Sequence, residues 1–308
     1  MTDTLHARLH HAGGTALRSV DDVRREAQWA ADAGFDGFWV SQIFGVDPFV
    51  ALAAIADEVP EIPELGTSVV PIYGRHPLAM AALALTAQSA TRGRFTLGVG
   101  PSHQVVVESI LGQSYARPAT HTEEYLAALS PLLSGGTASV DGQEIQAHGS
   151  LQIDAPPVPV LLAALGPRML DIAGRLTDGT TLGQCGPRTI ATHIAPRIQE
   201  AAAAARRPQP RIMALVSVCV TDDVAGARAH ADQFAASYAA LPAYRRVLDL
   251  EGVDSGAELL IAGSADDVTA GLAAYVDAGA TDLRIGITAP TPGDDERTRG
   301  WLRDQLAR

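Results

Sequence analysis

Cysteine is almost absent. Cys185 and Cys219 are the only two, and they do not form a C-x-x-C pair, so a disulfide framework is excluded and a reduced, cytosolic setting is favoured. Long basic runs are missing as well. No cluster exceeds an adjacent pair such as Arg206-Arg207 or Arg245-Arg246, formal net charge is -12, and the pI is about 5.1, which argues against a nucleic-acid-binding surface. No stretch approaches the roughly 18 apolar residues of a membrane span, and the opening MTDTLHARLHHAGG contains no apolar core of signal-peptide length. Nine histidines are present, but no spacing among them and the two cysteines resembles a closed metal site. The expectation is a soluble, cytoplasmic protein with no metal, no nucleic-acid partner and no membrane partner.

What the chain does have is apolar content and punctuation. Hydrophobic residues make up 47%, enough for a large core, and 29 glycines with 19 prolines imply many sharp connections. Eight short apolar runs are spaced along the sequence: Leu5 to His11, Asp36 to Ser41, Leu65 to Val70, Phe95 to Gly100, Val158 to Leu165, Thr180 to Gly183, Ile212 to Val220 and Asp282 to Ile287. Helical patterns separate nearly all of them. Ser19-Val20-Asp21-Asp22 reads as a capping box ahead of VRREAQWAADAG, Asp47-Pro48 opens a second helix, and Pro77 to Thr91 forms a third. Further helices are expected around His121 to Leu133, from Pro167, and over 190–205, 225–240, 265–278 and 295–307. This alternation predicts an α/β chain folded as one (β/α)8 TIM barrel over residues 1–308, with a hairpin insertion around Asp141-Gly142 after the fourth strand. A doubly wound dinucleotide fold is the competitor. It fails because Gly98-x-Gly100 reaches His103 where the fingerprint needs a third glycine, and no phosphate-binding P-loop motif exists.

In such a barrel the strand ends and the loops after them build the active site. The third run is the most telling. In LGTSVVPIYGRHP, the small residues Gly66, Thr67 and Ser68 interrupt an apolar strand, and Tyr73, Arg75 and His76 follow at once. After the fifth strand, Gly166-Pro167-Arg168 opens a helix beside a fixed cation, a pattern suited to an anion such as phosphate. A tight strand-to-helix turn with Arg168 on the surface explains it equally well. His103, just past the fourth strand, stands where an imidazole meets ligand, although loop histidines are commonly structural. His76 precedes Pro77 and reads best as a helix cap.

Three segments together bring a family into view: LGTSVV, GRFTLGVG and ALGPRMLDIAGRLTDG. They resemble the bacterial-luciferase-like superfamily, and within it the branch that uses the deazaflavin coenzyme F420, including methylenetetrahydromethanopterin-reductase-like proteins. The resemblance runs from about Ser19 to the last strand. It implies a non-prolyl cis peptide at Ser68-Val69 behind the cofactor ring. It also implies cofactor contacts at Ser41, Thr67, Ser68, Val69, Gly100, Ser102, His103, Gly166, Pro167 and Arg168. Sugar-phosphate-oxidising relatives carry Ser-Asp-His-Phe where this chain has Ser41-Gln42-Ile43-Phe44. Gln42 and Ile43 cannot serve as a general base, so the resemblance points away from alcohol oxidation and toward reduction of an activated C=C or C=N bond. His103 and Tyr73 are the candidate proton donors. The substrate would be a small or peptide-borne organic molecule, and the assembly a homodimer through the early helices. The alternatives are an FMNH2-dependent monooxygenase and a non-catalytic flavin-binding barrel.

Overall fold

The computed structural model describes residues 6–14, 17–42 and 44–307, the side chain of Ser237 apart. Eight parallel strands close into a barrel: β1 (Arg8–Ala12), β2 (Gly37–Val40), β3 (Glu64–Thr67), β4 (Phe95–Gly100), β5 (Val160–Leu162), β6 (Gly179–Leu182), β7 (Arg211–Val220) and β8 (Asp282–Ile287). Each pairs with its chain neighbour, and β8 returns to β1 with Arg8 opposite Asp282 and His10 opposite Arg284. The expected (β/α)8 barrel is what the chain forms. Leu5 and Ile43 lie outside the described residues, and β1 begins at Arg8.

Ten labelled helices flank the strands: α1 (Val20–Ala33), α2 (Pro48–Ile55), α3 (Pro77–Ala90), α4 (Pro118–Leu133), α5 (Pro167–Leu176), α6 (Ala195–Ala204), α7 (Val224–Ala239), α8 (Pro242–Glu251), α9 (Ala265–Asp277) and α10 (Pro292–Leu306). Their starts are written in the sequence. Ser19 and Asp22 form the reciprocal capping box of α1, Ser264 and Asp267 repeat it at α9, and proline stands in the first turn of α2 through α5. The strands Thr137–Asp141 and Gln146–Ser150 form an antiparallel hairpin between α4 and β5. Three features depart from the expectation. A π-helical turn, Val106–Ile110, interrupts the connection after β4; α8 occupies a stretch to which the sequence pattern assigns no element; and a short strand, Ile261–Gly263, pairs with the end of β7.

Alternation along the strands divides the core. In β8, Leu283 and Ile285 pack outward with the helices, while Asp282 and Arg284 carry polar contacts inside the barrel. At the amino ends of the strands the interior is an ionic floor. Arg211 bonds Glu64 at 2.7 Å and Asp282 at 2.7 Å, Arg8 reaches Asp282 at 2.7 Å, and His10 meets the same Asp282 oxygen at 2.9 Å. Burial alone would raise the Asp282 carboxyl, but the His10 hydrogen bond and Arg211 hold it well below the usual carboxylate range. Among the described residues, His10, Glu64 and Asp282 are the one group with donor atoms spaced for a cation, and two arginines already satisfy its carboxylates. Above this floor, Trp39, Leu161 and Met213 fill the barrel middle. Gly66 is glycine for this reason: a Cβ there would stand 2.5 Å from the Trp39 ring.

Candidate active site

At the carboxyl ends of the strands, Ser68 is held from three directions. Its carbonyl accepts the Ser41 hydroxyl at 2.5 Å and the Arg284 guanidinium at 3.0 Å, and its hydroxyl meets that of Thr181 at 3.0 Å. The peptide joining it to Val69 is cis, as the resemblance implies. Thr67 turns inward to bridge the backbone of Gly98, donating to its carbonyl at 2.8 Å and accepting its N–H at 2.9 Å. Gly98 has no room for a side chain, since a Cβ would fall 1.9 Å from the Thr67 carbonyl oxygen. Gly100 is less tight, with the side chains of Val69 and Ala163 3.0 and 3.1 Å from the place a Cβ would take. The small polar residues that interrupt the third strand therefore form a bonded ledge that joins β2, β3, β4, β6 and β8.

Two non-glycine residues flank this ledge with left-handed backbones. Ser102, after β4, has φ 61°, and Gln184, after β6, has φ 56°. Such conformations carry a small cost and concentrate at ligand-facing turns. The carbonyl of Ser102 accepts the Tyr115 hydroxyl at 3.0 Å.

His103 is half-buried beside two tyrosines, with ring centroids 5.6 Å from Tyr244 and 6.5 Å from Tyr238. Burial lowers its pKa, so the ring is mainly neutral at pH 7. Tyr73, the other candidate donor, is 4% exposed and stacked on His121 with centroids 4.0 Å apart. Burial, with Tyr115 and Glu144 nearby, pushes its phenol up to about 12, and the hydroxyl has no hydrogen-bond partner among the described residues. His76 caps α3, accepting from the Leu78 N–H at 3.3 Å while its other nitrogen meets the Gln146 carbonyl. His10 and His11 are structural: the first joins the ionic floor, and the second bonds Glu26 and packs on Trp29.

The sequence contains Gly-Pro-Arg twice, and the structure separates the two copies. At Gly186-Pro187-Arg188 the carboxylate of Glu251 accepts the N–H groups of Arg188 and Thr189, closing that helix start. At Gly166-Pro167-Arg168 no side chain caps α5, and the space beside Gly166 is open. Arg168 is exposed, donates to Thr120 at 3.0 Å and lies 3.9 Å from Glu123. The first copy keeps free N–H donors beside a cation; the second does not.

Sequence reasoning missed Thr181, Tyr244 and Arg284. Arg284 had a readable signal, because in DLRIGI a charged residue alternates with apolar ones inside a barrel strand. Tyr244 had none, since the sequence pattern assigns no element to its segment.

Comparison with known proteins agrees with this architecture. Residues 3–282 match the model of the luciferase-like monooxygenase family. A 5,10-methylenetetrahydromethanopterin reductase of Methanolobus tindarius is 28% identical over 244 residues, covering 79% of this chain and 74% of the relative. Two solved structures superpose with TM-score 0.80. The coenzyme F420 dependent tetrahydromethanopterin reductase of Methanopyrus kandleri is 20% identical and covers 98% of each chain. An F420-dependent secondary alcohol dehydrogenase in complex with an F420–acetone adduct is 17% identical, covering 98% of this chain and 99% of its own. No helix among the described residues is long and apolar enough to cross a membrane. With a closed eight-stranded barrel and a family match across nearly its whole length, the chain belongs to the luciferase-like monooxygenase family and is an oxidoreductase.

Proposed function

We propose that this oxidoreductase uses coenzyme F420 and reduces an activated C=C or C=N bond in a small or peptide-borne organic substrate. The observation that carries the reading is the uncapped start of α5. Gly166, Pro167 and Arg168 offer open N–H donors and a cation at the mouth of the same barrel whose other Gly-Pro-Arg start is closed by Glu251. These residues fit the phosphate of a nucleotide-like cofactor, and the ledge of Ser41, Thr67, Ser68, Val69 and Gly100 fits a flat ring laid across the strand ends. When bound in its reduced form, F420 would supply the hydride from C5 of its deazaflavin ring. The name of the Methanolobus tindarius relative favours a reductase.

The residues of this chain would divide the remaining work. Gly166 and Arg168 anchor the phosphate; Ser68, clamped by Ser41, Thr181 and Arg284, keeps the ledge rigid and fixes the ring's height; Ser102 and Val69 shape its edge. His103 would hold the proton on a ring nitrogen and pass it to the substrate atom next to the reduced carbon. Tyr73 is the poorer donor, because its raised pKa makes it a weaker acid and its ring is enclosed by His121 and Tyr115. A cytoplasmic homodimer through the early helices belongs to the same reading; Val50 is exposed on α2. The family name itself favours a second reading, an FMNH2-dependent monooxygenase.

Titrating the protein with oxidised F420 and separately with FMN, followed by tryptophan fluorescence, tests the proposal. Selective F420 binding that Arg168→Ala weakens is the expected result. Preference for FMN transfers the chain to the monooxygenase reading.

A further inference from the structure

Arg284 is the one arginine in the buried class among the described residues, at 5% exposure. The chain contains no lysine, so every fixed side-chain cation is an arginine. The others that enter the interior are fully engaged: Arg211 binds two carboxylates, and Arg94 donates to the carbonyls of Ala56, Val59, Ile62 and Thr91. Arg284 differs. Among the described residues its single hydrogen bond is the one to the Ser68 carbonyl, its Nε has no partner, and no carboxylate lies within ion-pair distance. A buried guanidinium whose Nε finds no partner carries an uncompensated desolvation cost.

The neighbouring group is also idle. Tyr244 from α8 is a phenol that burial keeps neutral, and its hydroxyl makes no hydrogen bond to a described residue. It stands beside Gly183 at the β6 exit and His103 at the β4 exit. A buried cation on the Ser68 carbonyl, and a phenol and an imidazole paired at the β6 and β4 exits, therefore sit at the same end of the barrel. Asp282, two residues along β8, cannot serve Arg284, since Arg8, Arg211 and His10 already hold it.

We propose that Arg284 and Tyr244 form a receptor for one negatively charged oxygen at the inner end of the barrel mouth. Two sources share this chemistry: a carboxylate or related acyl oxygen of the substrate, or an oxygen at the electron-rich edge of the bound ring. The receptor deepens the proposed function by naming what the substrate or ring must present, and rests on it only in taking the barrel mouth as the binding face. His103 lies beside Tyr244 with ring centroids 5.6 Å apart, so an acid-bearing substrate held there would have its reducible bond within reach of the proton donor.

Crotonate and crotonamide, equal in shape and different in charge, make the test. Their binding to cofactor-free protein is measured by tryptophan fluorescence and thermal shift for wild type, Arg284→Met, Arg284→Lys and Tyr244→Phe. F420 binding is measured on the same four proteins. If the oxygen belongs to substrate, wild type prefers crotonate at least tenfold, Arg284→Met loses the preference, and Arg284→Lys and Tyr244→Phe keep part of it. If it belongs to the cofactor, no carboxylate preference appears and Arg284→Met binds F420 at least tenfold more weakly. Wild-type affinity for both ligands in a cooperatively folded Arg284→Met protein overturns the proposal. Should Arg284→Met fail to fold, an unchanged Tyr244→Phe and Arg284→Lys overturns it. The crotonate comparison contains no cofactor, so a failure of F420 binding alone leaves its outcome standing.

Discussion

Arg211 and Asp282, the first residues of β7 and β8, meet at 2.7 Å inside the barrel, where the Asp282 side chain is 1% exposed. Removing one partner of a buried pair strands the other charge. Asp282→Asn is expected to cost roughly 3 to 5 kcal/mol in denaturant unfolding. The pH dependence has a definite sign. The Asp282 and Glu64 carboxyls are both held below their usual values, so their contribution is complete above the unfolded pKa values of about 4 and is lost as pH falls from there. Wild type should lose stability steeply below about pH 4, and Asp282→Asn should lose less over the same interval.

Three glycines separate folding from binding. Gly66→Ala forces the Trp39 ring to move, and Gly98→Ala drives a methyl into the Thr67 carbonyl, so losses of roughly 1 to 3 kcal/mol or more are expected, larger for Gly98. Gly166→Ala meets nothing within 4 Å and should melt within about 0.5 kcal/mol of wild type. Its F420 affinity should fall nonetheless, because the methyl crowds the open start of α5. Thermal denaturation and ligand titration of the three variants check both halves.

The two Gly-Pro-Arg starts should respond differently. Arg168→Ala is expected to weaken F420 binding by about tenfold, a factor worth about 1.4 kcal/mol. Arg188→Ala should change it less than about twofold, since Glu251 already occupies that helix start. Glu251→Ala should lower stability by about 1 kcal/mol, the usual cost of losing a cap.

His103 implies an acid-leaning profile. Burial lowers its pKa, so it is largely neutral at pH 7 and gains its proton as pH falls. In the reducing direction kcat/KM should rise toward low pH with an apparent pKa below 6.5, the ordinary histidine value. His103→Gln should remove that limb and lower turnover by roughly 10² to 10⁴. A Tyr73→Phe variant should keep it.

The barrel was legible because its signals are local. Phe95–Gly100 and Asp282–Ile287 have the bounds their apolar runs announce, and Ser19 with Asp22 marks the start of α1. Other features depended on partners far along the chain. Nothing in PAYRRVLDLE says that Tyr244 will turn toward Gly183 and His103, and Val106–Ile110 looks like apolar filler until its backbone coils. The Gly-Pro-Arg tripeptide is the same at both places; that the second is closed depends on Glu251, more than sixty residues beyond it.

A crystal structure with oxidised F420 tests the central claim most directly. The phosphate should lie on the backbone N–H groups of Arg168 and Met169 with the Arg168 side chain beside it, and the ring against the ends of β3 and β4 within reach of His103. A phosphate held elsewhere, or a ring away from Ser68 and Gly100, would contradict that claim.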